Sequence, residues 1–246
     1  MTGNTVDILT TTSTAYAGAT NITIKPSTSN GYVYKLKSFE FGIIDQTSGT
    51  QSVENLMNSN ETIYGTYANS TIFNMGYKGL GLPTAEYNHF TNLINVATGG
   101  EAQCFENVAG FCILPGNCSS YANLWAYRFK IQFDNTNKLG KQSLLLPLAT
   151  FGEDQMSNES PYGQFISSQQ ICNINVQHLD SNQNNSKAII LGSMFYQNVY
   201  MNVSMNQTSP SSTITNLTLA INVNAMVNDP NGGPATGAYI TSQVFT

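Results

Sequence analysis

Charge is what this chain has least of. Only 9% of its 246 residues are Asp, Glu, Lys or Arg, against roughly 25% in an ordinary soluble domain. There is a single arginine, Arg128, and nine Lys and Arg together face 14 Asp and Glu, for a net charge of -5. That excludes a nucleic-acid binder, which needs clustered cations to meet phosphates. No run of about 18 apolar residues occurs, so no transmembrane helix is expected. The first residues, "MTGNTVDILTTT", have neither a basic n-region nor a long apolar h-region. No signal peptide is visible there, and a secreted chain would be a mature form or a fragment. Histidine is scarce too. His89 and His178 each stand alone, which favours structural or surface roles over metal ligation. No Gly-x-Ser-x-Gly elbow accompanies the many serines. The run Tyr77-Lys78-Gly79-Leu80-Gly81 lacks the Gly-Lys-Ser/Thr of a phosphate loop. It reads instead as a loop that needs positive φ and close backbone approach. Neither a metal nor a cofactor is expected.

What is present is a 41% hydrophobic share, enough for a core, under a surface built from Asn, Ser, Thr and Gln. Nine asparagines precede x-Ser/Thr: Asn21, Asn60, Asn69, Asn117, Asn158, Asn184, Asn202, Asn206 and Asn216. This composition alone would yield roughly six such triplets, so nine is a weak excess of glycosylation candidates. Four cysteines, Cys104, Cys112, Cys118 and Cys172, form an even set without Cys-x-x-Cys spacing. Two disulfides are expected, and three pairings are open. Together, cysteines and triplets favour a secreted, extracellular protein with glycans attached. The acidic residues Glu153, Asp154 and Glu159 read as a solvated loop, with weak cation binding as the sharper alternative. Glu101 and Glu106, flanking Cys104, read the same way.

Period-two alternation dominates the chain. Ile22 and Ile24 alternate with Thr23 and Lys25, and Tyr32, Tyr34 and Leu36 share a face before Phe39 and Phe41. Tyr127 to Phe133, Val199 to Val203 and Leu217 to Val223 alternate likewise. These are half-buried strands. "LPTAEYNHFTNLI" breaks the pattern, with Tyr87, Phe90, Leu93 and Ile94 at helical spacing after a start at Pro83 and Thr84. Turns are expected at Asn30-Gly31 and from Asn228 to Pro234. The fold class is mainly β with one or two short helices. "NQTSPSST", Asn206 to Thr213, reads as a polar connection. It divides a body, 1–205, from a C-terminal strand extension, 206–246.

These segments, in order, resemble the C-terminal lobe of the pepsin-like aspartic proteases. "GNTVDILTTTSTAYAGATNITI" is similar to the first strands of that lobe, with Tyr16-Ala17-Gly18 where the family has Tyr-Thr-Gly. "GYVYKLKSFEFG" is similar to the next strand. "TIFNMGYKGLGLP" matches without gaps the segment that carries the catalytic Asp-Thr-Gly, including the proline before a helix. "AIILGSMFYQNVYMNV", Ala188 to Val203, resembles the hydrophobic-hydrophobic-Gly strand and its successor. The resemblance covers about Gly3 to Val203 and implies a single pepsin-like (acid protease) lobe. It also implies a Cys118–Cys172 disulfide, which leaves Cys104 with Cys112.

The chemistry departs from the family. Its members hydrolyse peptides with two carboxylates that share a proton; like charges so close cannot both ionise, which supplies an acid and a base together. Here the aspartate position is Asn74, the threonine after it is Met75, and only Gly76 is retained. No Asp-Thr-Gly or Asp-Ser-Gly occurs elsewhere, and no N-terminal lobe is present in the sequence. The resemblance thus implies a lobe with no catalytic residues. A lobe without its mate leaves strand edges that invite pairing with other chains, here other copies of itself. The expected function is a non-catalytic, secreted structural subunit that assembles by strand addition into a filament or surface layer. The alternative is the C-terminal half of a two-lobed protease, or a pseudoprotease that binds peptides or inhibits an enzyme. A separate N-terminal lobe would then be its partner. An upstream lobe carrying Asp-Thr-Gly would favour that alternative, and a signal peptide directly before Thr2 would favour the lone lobe.

Overall fold

The computed structural model describes residues 21–27, 33–45, 49–56, 70–105, 112–121, 124, 126–134, 143–156, 170–179, 188–197, 199–208, 211–221 and 239–241. Three sheets account for their strands. The largest has nine strands. Eight form the path β12 (Val176–His178), β5 (Leu80–Leu82), β13 (Ala188–Leu191), β4 (Ser70–Phe73), β2 (Val33–Asp45), β8 (Tyr127–Phe133), β9 (Ser143–Pro147) and β16 (Tyr239–Thr241). The ninth, β3 (Gly49–Asn55), pairs with β2. A four-stranded sheet runs β10 (Gly152–Met156), β11 (Gln170–Ile174), β7 (Cys112–Pro115), β6 (Gln103–Cys104). A three-stranded sheet runs β1 (Asn21–Ile24), β15 (Ser211–Ile221), β14 (Val199–Thr208). The architecture is mainly β, with one α-helix among the described residues.

The alternating segments form the expected strands, and the one irregularity in their phase has a cause. Tyr34 and Leu36 are buried at even positions of β2, yet Phe39 and Phe41 are buried at odd ones. The ladder to β8 shifts between Leu36, which faces Phe133, and Ser38, which faces Gln132. Lys37 is the extra residue of a bulge, and one inserted residue exchanges the two faces of everything after it. The slip brings Phe39 and Phe41 against Phe129, with ring centroids 5.6 and 4.7 Å apart, and Phe41 against Phe90 at 5.1 Å. Arg128, expected on the solvent side of β8, is buried beside the equally buried Phe129. That part of the strand is therefore covered on both faces.

The only α-helix among the described residues is α1 (Thr84–Ala97), and it buries Tyr87, Phe90 and Ile94. Pro83 stands at its N-cap and Thr84 is its first residue. The Thr84 hydroxyl makes no cap; its Oγ1 lies 2.9 Å from Nε2 of His178. Gly99 and Gly100 end the helix at φ 64° and 90°, and the Gly100 N–H reaches back to the carbonyl of Asn95 at 2.8 Å. Such left-handed stops suit glycine, which has no Cβ to clash.

The stretch Asn206 to Thr213 differs from the polar connection expected of it. β14 continues to Thr208 and β15 begins at Ser211, and the ladder joins Asn206 to Thr213, Gln207 to Ser212 and Thr208 to Ser211. The composition suggested a turn because outward-facing ladder positions are as rich in Asn, Ser and Thr as loops are. β14 thus crosses the boundary placed at 205/206, and β15 is the central strand of its own sheet. β16 pairs with β9 of the same chain, Tyr239 to Leu145 and Thr241 to Ser143. The turns expected at Asn30-Gly31 and Asn228 to Pro234 lie outside the described residues.

Candidate functional site

The candidate site is the turn after β4, and three strands hold it. β4 enters the turn and β5 leaves it. β13 is inserted between these two, parallel to β4 and antiparallel to β5. The outline is that of the letter ψ. The Asn74 N–H donates to the Leu191 carbonyl at 2.9 Å, and the Tyr77 N–H closes the turn on the Asn74 carbonyl at 3.1 Å. Beyond β13, the N–H groups of Gly192, Ser193 and Met194 donate to the carbonyls of Gly79, Tyr77 and Lys78 at 2.9, 2.6 and 2.9 Å. Two backbones in such contact leave no room for side chains. A Cβ on Gly192 would lie 2.3 Å from the Tyr77 carbonyl oxygen, and one on Gly79 would lie 1.8 Å from that of Asn175. Close approach therefore explains these glycines. Positive φ does not: Gly79 and Gly81 lie outside the left-handed region.

At the tip, Asn74, Met75 and Gly76 are exposed, Met75 by 53%. The carboxamide oxygen of Asn74 accepts the Gly76 N–H at 2.9 Å. This is an Asx turn, a side chain serving its own backbone. A carboxamide at that place offers neither a proton to give nor a base to receive one near neutral pH. Three tyrosines and one glutamate of this half of the molecule are shifted away from neutrality. Burial pushes the hydroxyl pKa of Tyr34 up to about 12, raises Tyr77 further, and together with the Tyr34 charge lifts Tyr196 to about 12. Burial also acts to raise the Glu153 carboxyl. The hydrogen bond and charge of Lys78, with the amides of Asn175 and Gln155, outweigh it and hold Glu153 below the ordinary carboxylate value.

The residues read as an acidic loop are strand. Glu153 and Asp154 lie on β10, facing Asn173 and Cys172 of β11. Strand pairing overrides a composition that reads as loop. Glu153 forms an ion pair with Lys78 and bonds to the buried Asn175 amide at 3.4 Å, so it ties the sheet to the ψ turn. Nothing in the alternation "CNINV" marked Asn173, on β11, and Asn175, between β11 and β12, both of them buried. Asp154, Cys118 and Cys172 come together. The two sulfurs are joined in a disulfide, however, and an Asp154 carboxylate oxygen accepts the Cys118 N–H at 2.6 Å. A second disulfide joins Cys104 to Cys112 across β6 and β7. Glu101 accepts the Tyr121 hydroxyl at 3.2 Å. His178 packs against the Tyr87 ring at 5.4 Å, and His89 is half-buried on α1.

Among the glycosylation candidates, Asn202 is exposed on β14, Asn216 is half-buried on β15 and Asn117 is half-buried before the 3₁₀ turn Cys118–Ser120. Asn21 opens β1 and Asn206 lies late on β14. Asn60, Asn69, Asn158 and Asn184 lie outside the described residues, as do Glu106 and Glu159. Among the described residues no helix is long and apolar enough to cross a membrane.

No family model matches the chain, and no curated protein matches it. Among solved structures, the basic 7S globulin from soybean aligns with 84% of this chain and 46% of its own, at 10% identity and a TM-score of 0.48. The chain spans about half the length of that globulin.

Proposed function

We propose that this chain is a non-catalytic, secreted glycoprotein, a structural subunit that assembles with its own copies by strand pairing. The observation that carries the reading is the Asn74 turn. Its carboxamide oxygen is committed to the Gly76 N–H, and no acid stands where peptide hydrolysis would need one. The edges of the sheets support the assembly part. Among the described residues the three sheets end in β1 and β14, in β10 and β6, and in β12 and β16, with β3 a further edge beside β2, and such edges are templates for another strand. The two disulfides support an oxidising compartment. Electron microscopy and light scattering on natural material are the test. Ordered filaments or layers without acid peptidase activity are expected; monodisperse single chains would refute assembly, and a pepstatin-sensitive peptidase would refute the loss of catalysis.

A second reading is favoured by one observation, the 53% exposure of Met75 at the tip of the turn. An apolar side chain there suits a partner lobe that covers it, as in a two-lobed pseudoprotease that binds peptides or inhibits an enzyme. Recovery of the natural protein with a second lobe carrying Asp-Thr-Gly would select this reading over the first.

A further inference from the structure

Nine Asn-x-Ser/Thr triplets are indistinguishable in the sequence, but the three-stranded sheet separates them. In an extended strand, residues two apart share a face, so a triplet presents its carboxamide and its hydroxyl side by side. On β14 and β15, Val199, Leu217 and Leu219 are buried, and Met201 and Val203 pack against the core. The opposite face is therefore outward: Tyr200, Asn202 and Ser204 on one strand, Asn216, Thr218 and Ala220 on the next. The register makes two triplets reciprocal. Asn202 stands opposite Thr218, and Ser204 opposite Asn216, so each asparagine faces the other's hydroxyl residue. Asn202 and Ser204 are exposed and Asn216 is half-buried. β1 adds Asn21 opposite Ala220 and Thr23 opposite Thr218, with the two threonine hydroxyls 3.2 Å apart. Asn117 is different. Its carboxamide oxygen is buried without a hydrogen-bond partner, and the next residue is bridged to Cys172.

We propose that Asn202 and Asn216 are N-glycosylated, that the outward face of the β1-β15-β14 sheet is the sugar-bearing face, and that Asn117 stays bare. The proposal rests on the secreted-glycoprotein reading above and says which sites serve it. At each site the carboxamide nitrogen bonds to the anomeric carbon of an oligosaccharide carried on a lipid diphosphate. The bond from that carbon to the diphosphate oxygen breaks, the diphosphate leaves with the electron pair, and the amide gives up one proton. A face carrying two neighbouring glycans cannot lie flat against another copy, which leaves the strand edges for contacts between subunits.

The test is intact-glycopeptide mass spectrometry on the natural protein, site by site, followed by Ser204→Ala and Thr218→Ala in the natural host. The expected result is sugar on most peptides containing Asn202 and Asn216 and none on Asn117. Occupancy at Asn202 is lost in S204A and at Asn216 in T218A. Bare Asn202 and Asn216 with sugar on other triplets, or sugar on Asn117, would overturn the assignment of the face and leave the glycoprotein reading intact. An absence of sugar anywhere would overturn both.

Discussion

Asn74 carries the proposed reading, and its contribution to stability can be measured separately from that reading. Asn74→Ala removes the acceptor of the Gly76 N–H, an exposed bond, and is expected to cost about 1 kcal/mol in denaturant unfolding. Asn74→Asp keeps an acceptor in place, and its stability is expected to stay within about 0.5 kcal/mol of the parent. If the chain is a lone lobe, as proposed, no second carboxylate is present to share a proton, and no acid peptidase activity is expected from the aspartate. Buried Tyr34 and half-buried Tyr196, linked to β4 through Phe73 and Phe195, make a second prediction. A tyrosine charges by losing its proton, and the folded pKa of Tyr34 and Tyr196, about 12, exceeds the ordinary 10.0. The folded state holds these protons more tightly. The stability they contribute is complete below pH 10 and is lost as pH rises toward 12. Ultraviolet titration should show a slow, unfolding-linked tyrosinate phase in that window, which Tyr34→Phe should shrink.

Elements were legible in the sequence where a single face is buried. β8 spans Tyr127–Phe133, the residues whose alternation predicts it, and α1 follows the spacing of Tyr87, Phe90 and Ile94. Legibility fails where both faces are covered or where pairing overrides composition. Arg128 beside Phe129, the run Leu144-Leu145-Leu146 in β9, and Asn173 and Asn175 are all buried without alternation to announce it. β10 reads as an acidic loop because Glu153, Asp154 and Gln155 show no apolar alternation, and only the pairing with β11 makes them strand. Of the candidate site, the residues Asn74, Met75 and Gly76 were legible in the sequence, while the reason for Gly79 and Gly192, close approach of another backbone, exists only in three dimensions. The disulfides tie these elements and differ in reach. Cys118–Cys172 closes 54 residues and Cys104–Cys112 closes 8. By loop-closure entropy their removal as Ala pairs should cost about 4 and about 2.5 kcal/mol respectively. Thermal or denaturant unfolding of the two double variants should rank them in that order.

At the scale of the whole molecule, assembly should depend on the last strand. β16 lies at the end of the nine-stranded sheet, on β9, where it is the element best placed for exchange between copies. A chain ending at residue 238 is expected to stay folded, since β16 is a three-residue end strand paired with β9, and to lose ordered assembly in light scattering. Filaments that persist without it would locate the contact at another edge. The pairing of β1 with β15 has its own consequence in time. Thr23 and Thr218 meet across 195 positions, so Ile22 and Ile24 have no sheet to join until β15 has been made. At about 5–20 residues per second, that wait is roughly 10–40 s. For that interval a nascent chain carries an uncovered apolar strand, and whatever holds it meanwhile shapes how much of the product survives.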